Sequence, residues 1–232
     1  MTTEEIKKYI LSKCNDCEGR FYEIVTDQDE FDKIKIKNCK CYPKLLRYTN
    51  YNDAGISIEW WDFTIKDVEP DFDKKILKDV NFFIHNVKKC IINKTQFFFS
   101  GENGVGKTTM ALLMLKAVID NGYKGIFVHS KDIIKHLYNG EIDLYNDKDF
   151  IIVDEVDKIR DNIVNDFSFE LLGWMDKKAI VFISNQKLEW LKSKVPTFLY
   201  DRLKSTYVIQ FPDKDYRNQF KSKFEALKED AK

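Results

Sequence analysis

Residues Gly101 to Thr109 read GENGVGKTT, which places two glycines, a lysine and a hydroxyl at the spacing G-x-x-x-x-G-K-T. That spacing suits the binding of a phosphate chain. The glycines let the backbone curl, so that successive N–H groups from Gly101, Glu102, Asn103, Gly104, Val105 and Gly106 point at one anion. A helix that starts at the end of the loop adds its positive dipole end. Lys107 would reach the β- and γ-phosphates of ATP, Thr108 would hold Mg²⁺, and Thr109 would complete the nucleotide-binding set. A loop of this kind needs a strand before it and a helix after it. Thr95-Gln96-Phe97-Phe98-Phe99-Ser100 reads as a buried strand and Met110-Ala111-Leu112-Leu113-Met114-Leu115 as a helix.

A second chemical group lies downstream in Asp149-Phe150-Ile151-Ile152-Val153-Asp154-Glu155. An apolar run of this kind is a central parallel strand, and acids at its carboxyl end stand where open α/β sheets bind ligands. Asp154 would hold the magnesium shell and Glu155 would polarise an attacking water. A helix N-cap explains Asp154 on its own equally well, and the phosphate loop is what favours the catalytic reading. A third strand, Ala179-Ile180-Val181-Phe182-Ile183, ends in Ser184-Asn185. Asn185 would orient the water or touch the γ-phosphate, or else merely start the next helix. Arg202, in Leu199-Tyr200-Asp201-Arg202-Leu203, is either a surface ion pair or a finger supplied to a neighbouring subunit. Fingers of that kind are worth about 10³–10⁵ in rate.

Four of the five cysteines fall before residue 45, as Cys14-Asn15-Asp16-Cys17 and Cys39-Lys40-Cys41. Two thiolate pairs can close a tetrahedral shell around Zn²⁺, leaving no open position for a substrate. The free energy of metal binding would then replace core burial that so short and polar a segment cannot supply. Scattered buried cysteines are the plain alternative. Cys90 stands alone at a helix end, and His85, His129 and His136 have no ligand spacing.

The elements that position these groups follow from periodicity. A short helix is expected up to Ser12, with strands at Phe21–Val25 and Ile34–Lys37. Residues 46–70 read as an irregular lead-in, with Trp60, Trp61 and Phe63 anchoring it on the next domain or on a nucleotide base. Ile76, Leu77, Val80, Phe83, Ile84 and Val87 form one stripe of a helix from Lys74 to Lys89. Strands and helices then alternate through Ile126–Val128, Asp132–Tyr138, Ile151, Phe167–Met175, Val181 and Tyr207–Ile209. Asn121-Gly122 stops the helix that follows the phosphate loop, and a last helix is expected over Tyr216–Lys228. Alternation of this kind gives an α/β fold with a parallel sheet covered by helices on both faces. The expected division is 1–45 for a zinc-binding, partner-binding domain, 46–70 for the lead-in and 71–232 for the ATPase domain.

Composition narrows the classes. The 232 residues carry 38 basic and 38 acidic side chains, so no global field drives binding to nucleic acid. Hydrophobic content of 44%, with 14% aromatic, excludes a disordered chain. No apolar run approaches 20 residues, so no membrane partner is expected. The start, Met1-Thr2-Thr3-Glu4-Glu5, lacks a secretory pattern, which makes a cytoplasmic, reducing compartment the expectation.

Taken together, GENGVGKTT, Ile151-Ile152-Val153-Asp154-Glu155, Phe182-Ile183-Ser184-Asn185 and Tyr200-Asp201-Arg202-Leu203 resemble the DnaC/DnaI-type replicative helicase loaders of the AAA+ superfamily. IstB-like transposition ATPases are close relatives. The similarity covers roughly residues 50–220. It implies Walker A, Walker B and sensor 1 roles for the first three motifs and a trans-acting finger for Arg202. The run Phe211-Pro212-Asp213-Lys214-Asp215-Tyr216-Arg217 is similar to the family's last strand and its S/D-x-R, which would make Arg217 sensor-2-like with no full carboxy-terminal lid after it. The Cys-rich amino terminus resembles the helicase-binding module of some loaders, and the composition suits a bacterial, phage or mobile-element version. The resemblance implies an ATPase that self-assembles, binds single-stranded DNA and engages a hexameric replicative helicase. Ser130 to Lys148 is short for the family's DNA-gripping element, leaving Lys131, Lys135, His136 and Tyr138 either as its candidates or as a plain solvated helix face. The alternatives are an IstB-like transposition ATPase, a small P-loop kinase, or a non-catalytic zinc adaptor.

Overall fold

A computed structural model describes residues 1–12, 14, 16–17, 20–27, 33–68, 70–159 and 164–216. Chain contacts divide it into two compact units, Met1–Asp62 and Phe63–Lys232. The helix expected over Tyr216–Lys228, the lid question and Arg217 fall outside the described residues, apart from Tyr216.

The first unit begins with α1 (Thr3–Leu11), set by a capping box. The Glu5 N–H donates to the Thr2 hydroxyl at 3.3 Å and the Thr2 N–H donates back to the Glu5 carboxylate at 2.7 Å. Ile6 and Ile10, one turn apart, are its buried face. β1 (Tyr22–Asp27) and β2 (Lys33–Asn38) form an antiparallel pair. Next comes α2 (Cys41–Asp53), which overlaps the stretch that reads from sequence as an irregular lead-in. Cys41, Leu45, Tyr48 and Tyr51 recur at helical spacing and are buried. Pro43 is tolerated because it sits in the first turn, where backbone N–H groups have no intrahelical acceptor. Trp61 packs inside this unit. Its ring stacks on Tyr48 with centroids 5.0 Å apart, and its indole N–H donates to the Ile56 carbonyl at 2.9 Å.

The second unit is a five-stranded sheet among helices. Its elements are α3 (Lys74–His85), α4 (Val87–Ile92), β3 (Gln96–Ser100), α5 (Lys107–Asp120), β4 (Gly125–His129), α6 (Ser130–Tyr138), β5 (Phe150–Asp154), α7 (Val164–Met175), β6 (Ala179–Ser184), α8 (Leu188–Leu191), α9 (Thr197–Lys204) and β7 (Tyr207–Gln210). The single helix expected over 74–89 is two helices. At the break, the Asn86 amide donates to the Phe82 carbonyl at 2.8 Å, a side-chain bond that competes with the helical ladder.

The strand order is β4-β5-β6-β3-β7, and every pair is parallel. Phe98, Ile151, Ile152, Val153, Ile180, Val181 and Phe182 are fully buried, as strands covered on both faces must be. Each such side chain contributes about 1.5–3 kcal/mol of burial. α5 is apolar almost all round, with Met110, Ala111, Met114, Leu115 and Val118 buried, because it lies within this core. The chain therefore has a rigid sheet whose carboxyl ends carry Ser100, His129, Asp154 and Ser184.

Candidate nucleotide site and cysteine cluster

The glycine-rich loop Gly101–Gly106 joins β3 to α5. Gly104 and Gly106 have φ of +87° and +93°, a backbone region that costs side-chain-bearing residues strain. Gly106 also lacks room, since a Cβ there would stand 2.8 Å from Cε2 of Phe72. Phe72 in turn packs on Tyr216, with centroids 5.1 Å apart. The Tyr216 N–H donates to the Gly104 carbonyl at 3.0 Å and the Phe211 N–H to the Ser100 carbonyl at 2.7 Å. Two distant segments thus brace the loop, while the first N–H groups of α5 have no intrahelical partner.

Lys107 is buried, and its ammonium donates to the carbonyls of Gly101 at 2.7 Å and Glu102 at 2.6 Å. It also donates to Asn185 Oδ1 at 3.1 Å. Asn185 follows β6, which lies directly beside β3 with Ser100 and Ser184 in register. The Asn185 backbone N–H donates to Asp157 Oδ1 at 2.9 Å. A cavity of about 490 Å³ borders this group, with Glu102, Asn103, Asn185 and Lys214 in its wall. Its size is that of a small-molecule site.

Asp154, on the tip of β5, is 8% exposed. Its Oδ2 accepts the Thr108 hydroxyl at 3.2 Å and its Oδ1 accepts the Glu155 N–H at 2.7 Å. Burial pushes the Asp154 carboxyl above the usual carboxylate range, and these two donors oppose the shift only in part. A desolvated carboxylate beside a hydroxyl is an oxygen-donor pair that a hard divalent cation would satisfy, so the residues fit Mg²⁺. Glu155 has φ +60° and ψ +40°, an uncommon conformation for a residue with a Cβ. The Ser130 hydroxyl holds its carbonyl at 2.8 Å, and its carboxylate pairs with Lys158.

Arg202 lies away from this group. On α9 it pairs with Asp176, which directly follows α7 and precedes β6. The Asp176 carbonyl accepts Lys94 at 2.6 Å, just ahead of β3. Arg202 is therefore at the amino ends of the strands, about 16 Å of strand from the loop on the same chain. On α6, His136 is engaged by the Tyr145 hydroxyl at 2.6 Å, whereas Lys131, Lys135 and Tyr138 are not buried. Sequence reasoning missed Phe72, Ser130, Asp157 and Lys158. Only Ser130, directly after a strand tip, carried a local signal.

In the first unit the sulfur atoms of Cys14, Cys17, Cys39 and Cys41 all lie within 4.8 Å of one another. Cys14–Cys17, Cys14–Cys39 and Cys17–Cys41 are separated by 3.9, 3.7 and 3.5 Å. Tetrahedral zinc thiolate sites with Zn–S near 2.3 Å require sulfurs about 3.8 Å apart, whereas a disulfide requires about 2 Å. Burial drives the Cys41 thiol well above the ordinary thiol range. Four clustered thiols of this kind become thiolates only where a cation compensates them, so the donor set fits Zn²⁺.

The parallel order, the loop after β3 and the acidic tip of β5 make an α/β fold of the kind seen in AAA+ structures. Solved structures with that fold superpose on this chain. The crystal structure of the DnaC helicase loader superposes with a TM-score of 0.54 at 20% identity, over 67% of this chain and 100% of that one. The DnaI crystal structure gives 0.53 at 16% identity, over 69% and 94%. The replication initiator DnaA bound to AMPPCP and single-stranded DNA gives 0.53 at 20% identity, over 72% of this chain and 55% of that one. The chain thus spans about half the length of the DnaA chains it matches. No protein-family model and no curated protein matches the sequence. Among the described residues, no helix is long and apolar enough to cross a membrane.

Proposed function

We propose that the chain is an ATP-dependent helicase loader, which binds a replicative DNA helicase and single-stranded DNA and assists helicase loading. The observation that carries this reading is the convergence of Lys107, Thr108, Asp154 and Asn185 on one loop, in a fold shared over the whole length of a helicase loader.

In this reading the backbone from Gly101 to Gly106 binds the phosphates of ATP, and Lys107 turns from its carbonyls to the β- and γ-oxygens. Thr108 and Asp154 hold Mg²⁺, which when bound supplies positive charge at those oxygens. Glu155 polarises the attacking water once its carboxylate leaves Lys158, and Asn185 orients that water or the γ-phosphate. Arg202 is too far from its own loop, which supports a role in trans. A neighbour's Arg202 would complete each site, so that hydrolysis depends on self-assembly. Lys131, Lys135 and Tyr138 on α6 are suited to contact a single strand by charge and stacking. The four-cysteine module, loaded with Zn²⁺, would hold the helicase, and Arg217 would act as a sensor-2-like residue. The proposed domains are a zinc module over 1–45, a lead-in over 46–70 and an ATPase over 71–232.

The test measures ATP turnover per subunit against protein concentration, with and without single-stranded DNA, for the wild type and Arg202→Ala. The rate is expected to rise with concentration and to fall at least 10³-fold in the variant, about the low end of known arginine fingers. A rate indifferent to both would rule out the trans finger. Co-purification with a hexameric helicase rather than a transposase separates the loader from an IstB-like role.

A further inference from the structure

His129 ends β4, and its register partner across the parallel ladder is Asp154. Register partners in a parallel pair point to the same face, so the imidazole stands beside the carboxylate that Thr108 contacts. Phe127, two residues earlier on that face, packs edge-on against the ring with centroids 5.2 Å apart. The ring is thereby fixed with Nδ1 buried. Among the described residues, Nδ1 of His129 is the one buried side-chain nitrogen or oxygen without a hydrogen-bond partner. The large majority of such groups are paired in folded proteins, and leaving one unpaired costs about 1–3 kcal/mol. An orphan at this position, rather than in a remote part of the core, calls for a partner that belongs to the site. The next residue, Ser130, gives its hydroxyl to the Glu155 carbonyl at 2.8 Å, tying the tips of β4 and β5 together.

We propose that His129 is a positioning residue of the nucleotide site, whose Nδ1 hydrogen-bonds a water in the shell of the divalent cation held by Thr108 and Asp154. The proposal rests on the nucleotide reading given above. Neighbouring strands stand about 4.8 Å apart, a gap that one water between two polar atoms spans. Mg²⁺ keeps several of its waters when proteins bind it, so a group beside its carboxylate meets water rather than metal. A water bound to a cation donates through its hydrogens, so the contact forms with the neutral tautomer that carries its proton on Nε2 and leaves Nδ1 to accept. His129 would act through that water to orient the cation's hydration shell, without touching the phosphates.

The test is equilibrium binding of a fluorescent ATP analogue by the full chain in Mg²⁺ and in EDTA, for the wild type, His129→Asn and His129→Phe. Asn keeps a polar atom close to the place of Nδ1, and Phe does not. The expected result is equal affinity of all three in EDTA. In Mg²⁺, Asn should retain the metal-dependent gain and Phe should lose about 10–100-fold of it, the range for outer-shell partners of metal ligands. A Phe variant with the full gain overturns the proposal, as does one that loses equally in EDTA. A wild type with no metal-dependent gain instead overturns the nucleotide reading itself. A second measurement needs no variant that must fold. The chain has three histidines, and with Mn²⁺·ATP the ring-proton signals of His129 should broaden before those of His85 and His136. Broadening that spares His129 also overturns the proposal.

Discussion

The Lys107 ammonium donates to Oδ1 of Asn185 at 3.1 Å, across 78 residues of sequence. The contact exists because β6 lies directly beside β3 and the two strands end level, with Ser100 opposite Ser184. The main chain at Asn185 is also held, since its backbone N–H donates to Asp157 Oδ1 at 2.9 Å. An amide fixed in this way is preorganised and loses little freedom on engaging a ligand.

Asn185→Ala is therefore expected to leave nucleotide affinity within a few fold. Turnover should fall about 10²–10³-fold, as when one preorganised polar contact to a reacting group is removed. Separate kcat and KM values check this, and a loss confined to KM would assign Asn185 to ground-state binding.

Lys107→Ala removes the cation proposed to face the phosphates, together with its three hydrogen bonds to Gly101, Glu102 and Asn185. Wild type with ATP at 100 times Kd should gain about 2.7 kcal/mol of stability. The variant should show almost none of this gain, and thermal unfolding with and without Mg·ATP measures the difference.

Gly106→Ala meets two obstacles, a φ of +93° and a Cβ that would lie 2.8 Å from Phe72. A residue held in so unusual a conformation costs about 1–3 kcal/mol. The variant is expected to unfold earlier and to bind ATP weakly. Adding Phe72→Leu should restore part of the stability by relieving the clash, but not the part owed to φ. Denaturant titration of both variants separates the two contributions.

Zinc removal should act on the first unit. A strong chelator is expected to free Cys14, Cys17, Cys39 and Cys41 to react with a thiol reagent, while ATP affinity persists in the second unit. Binding requires the thiols to lose their protons, and burial holds Cys41 above the ordinary thiol range in favour of the protonated form. Acidification therefore favours proton over metal. Zinc retained per chain after dialysis should fall as pH is lowered from 8 to about 5, and further in Cys41→Ser.

Features carried by neighbouring residues were legible in the sequence. GENGVGKTT, the acidic end of β5, the two cysteine pairs and the alternation of strands with helices all depend on local backbone preference and short-range periodicity. α2 was less legible, because Pro43 and several polar residues mask a stripe whose burial depends on Tyr9 and Trp61. Histidine spacing said nothing of His129, whose position beside Asp154 is a fact of strand register.

The sequence by itself therefore determined the local features, a glycine-rich loop between a strand and a helix, an acidic strand tip and two cysteine pairs. It did so because curled glycines, apolar strands and paired cysteines state their geometry over a few residues. Only the tertiary structure decided the neighbours: Asn185 on Lys107, His129 beside Asp154, Phe72 against Gly106, and Arg202 at the far end of the strands. Parallel strands buried on both faces are alike in composition, so their order is not written in any one of them. It is settled by how the helices and strands of the second unit pack into one core.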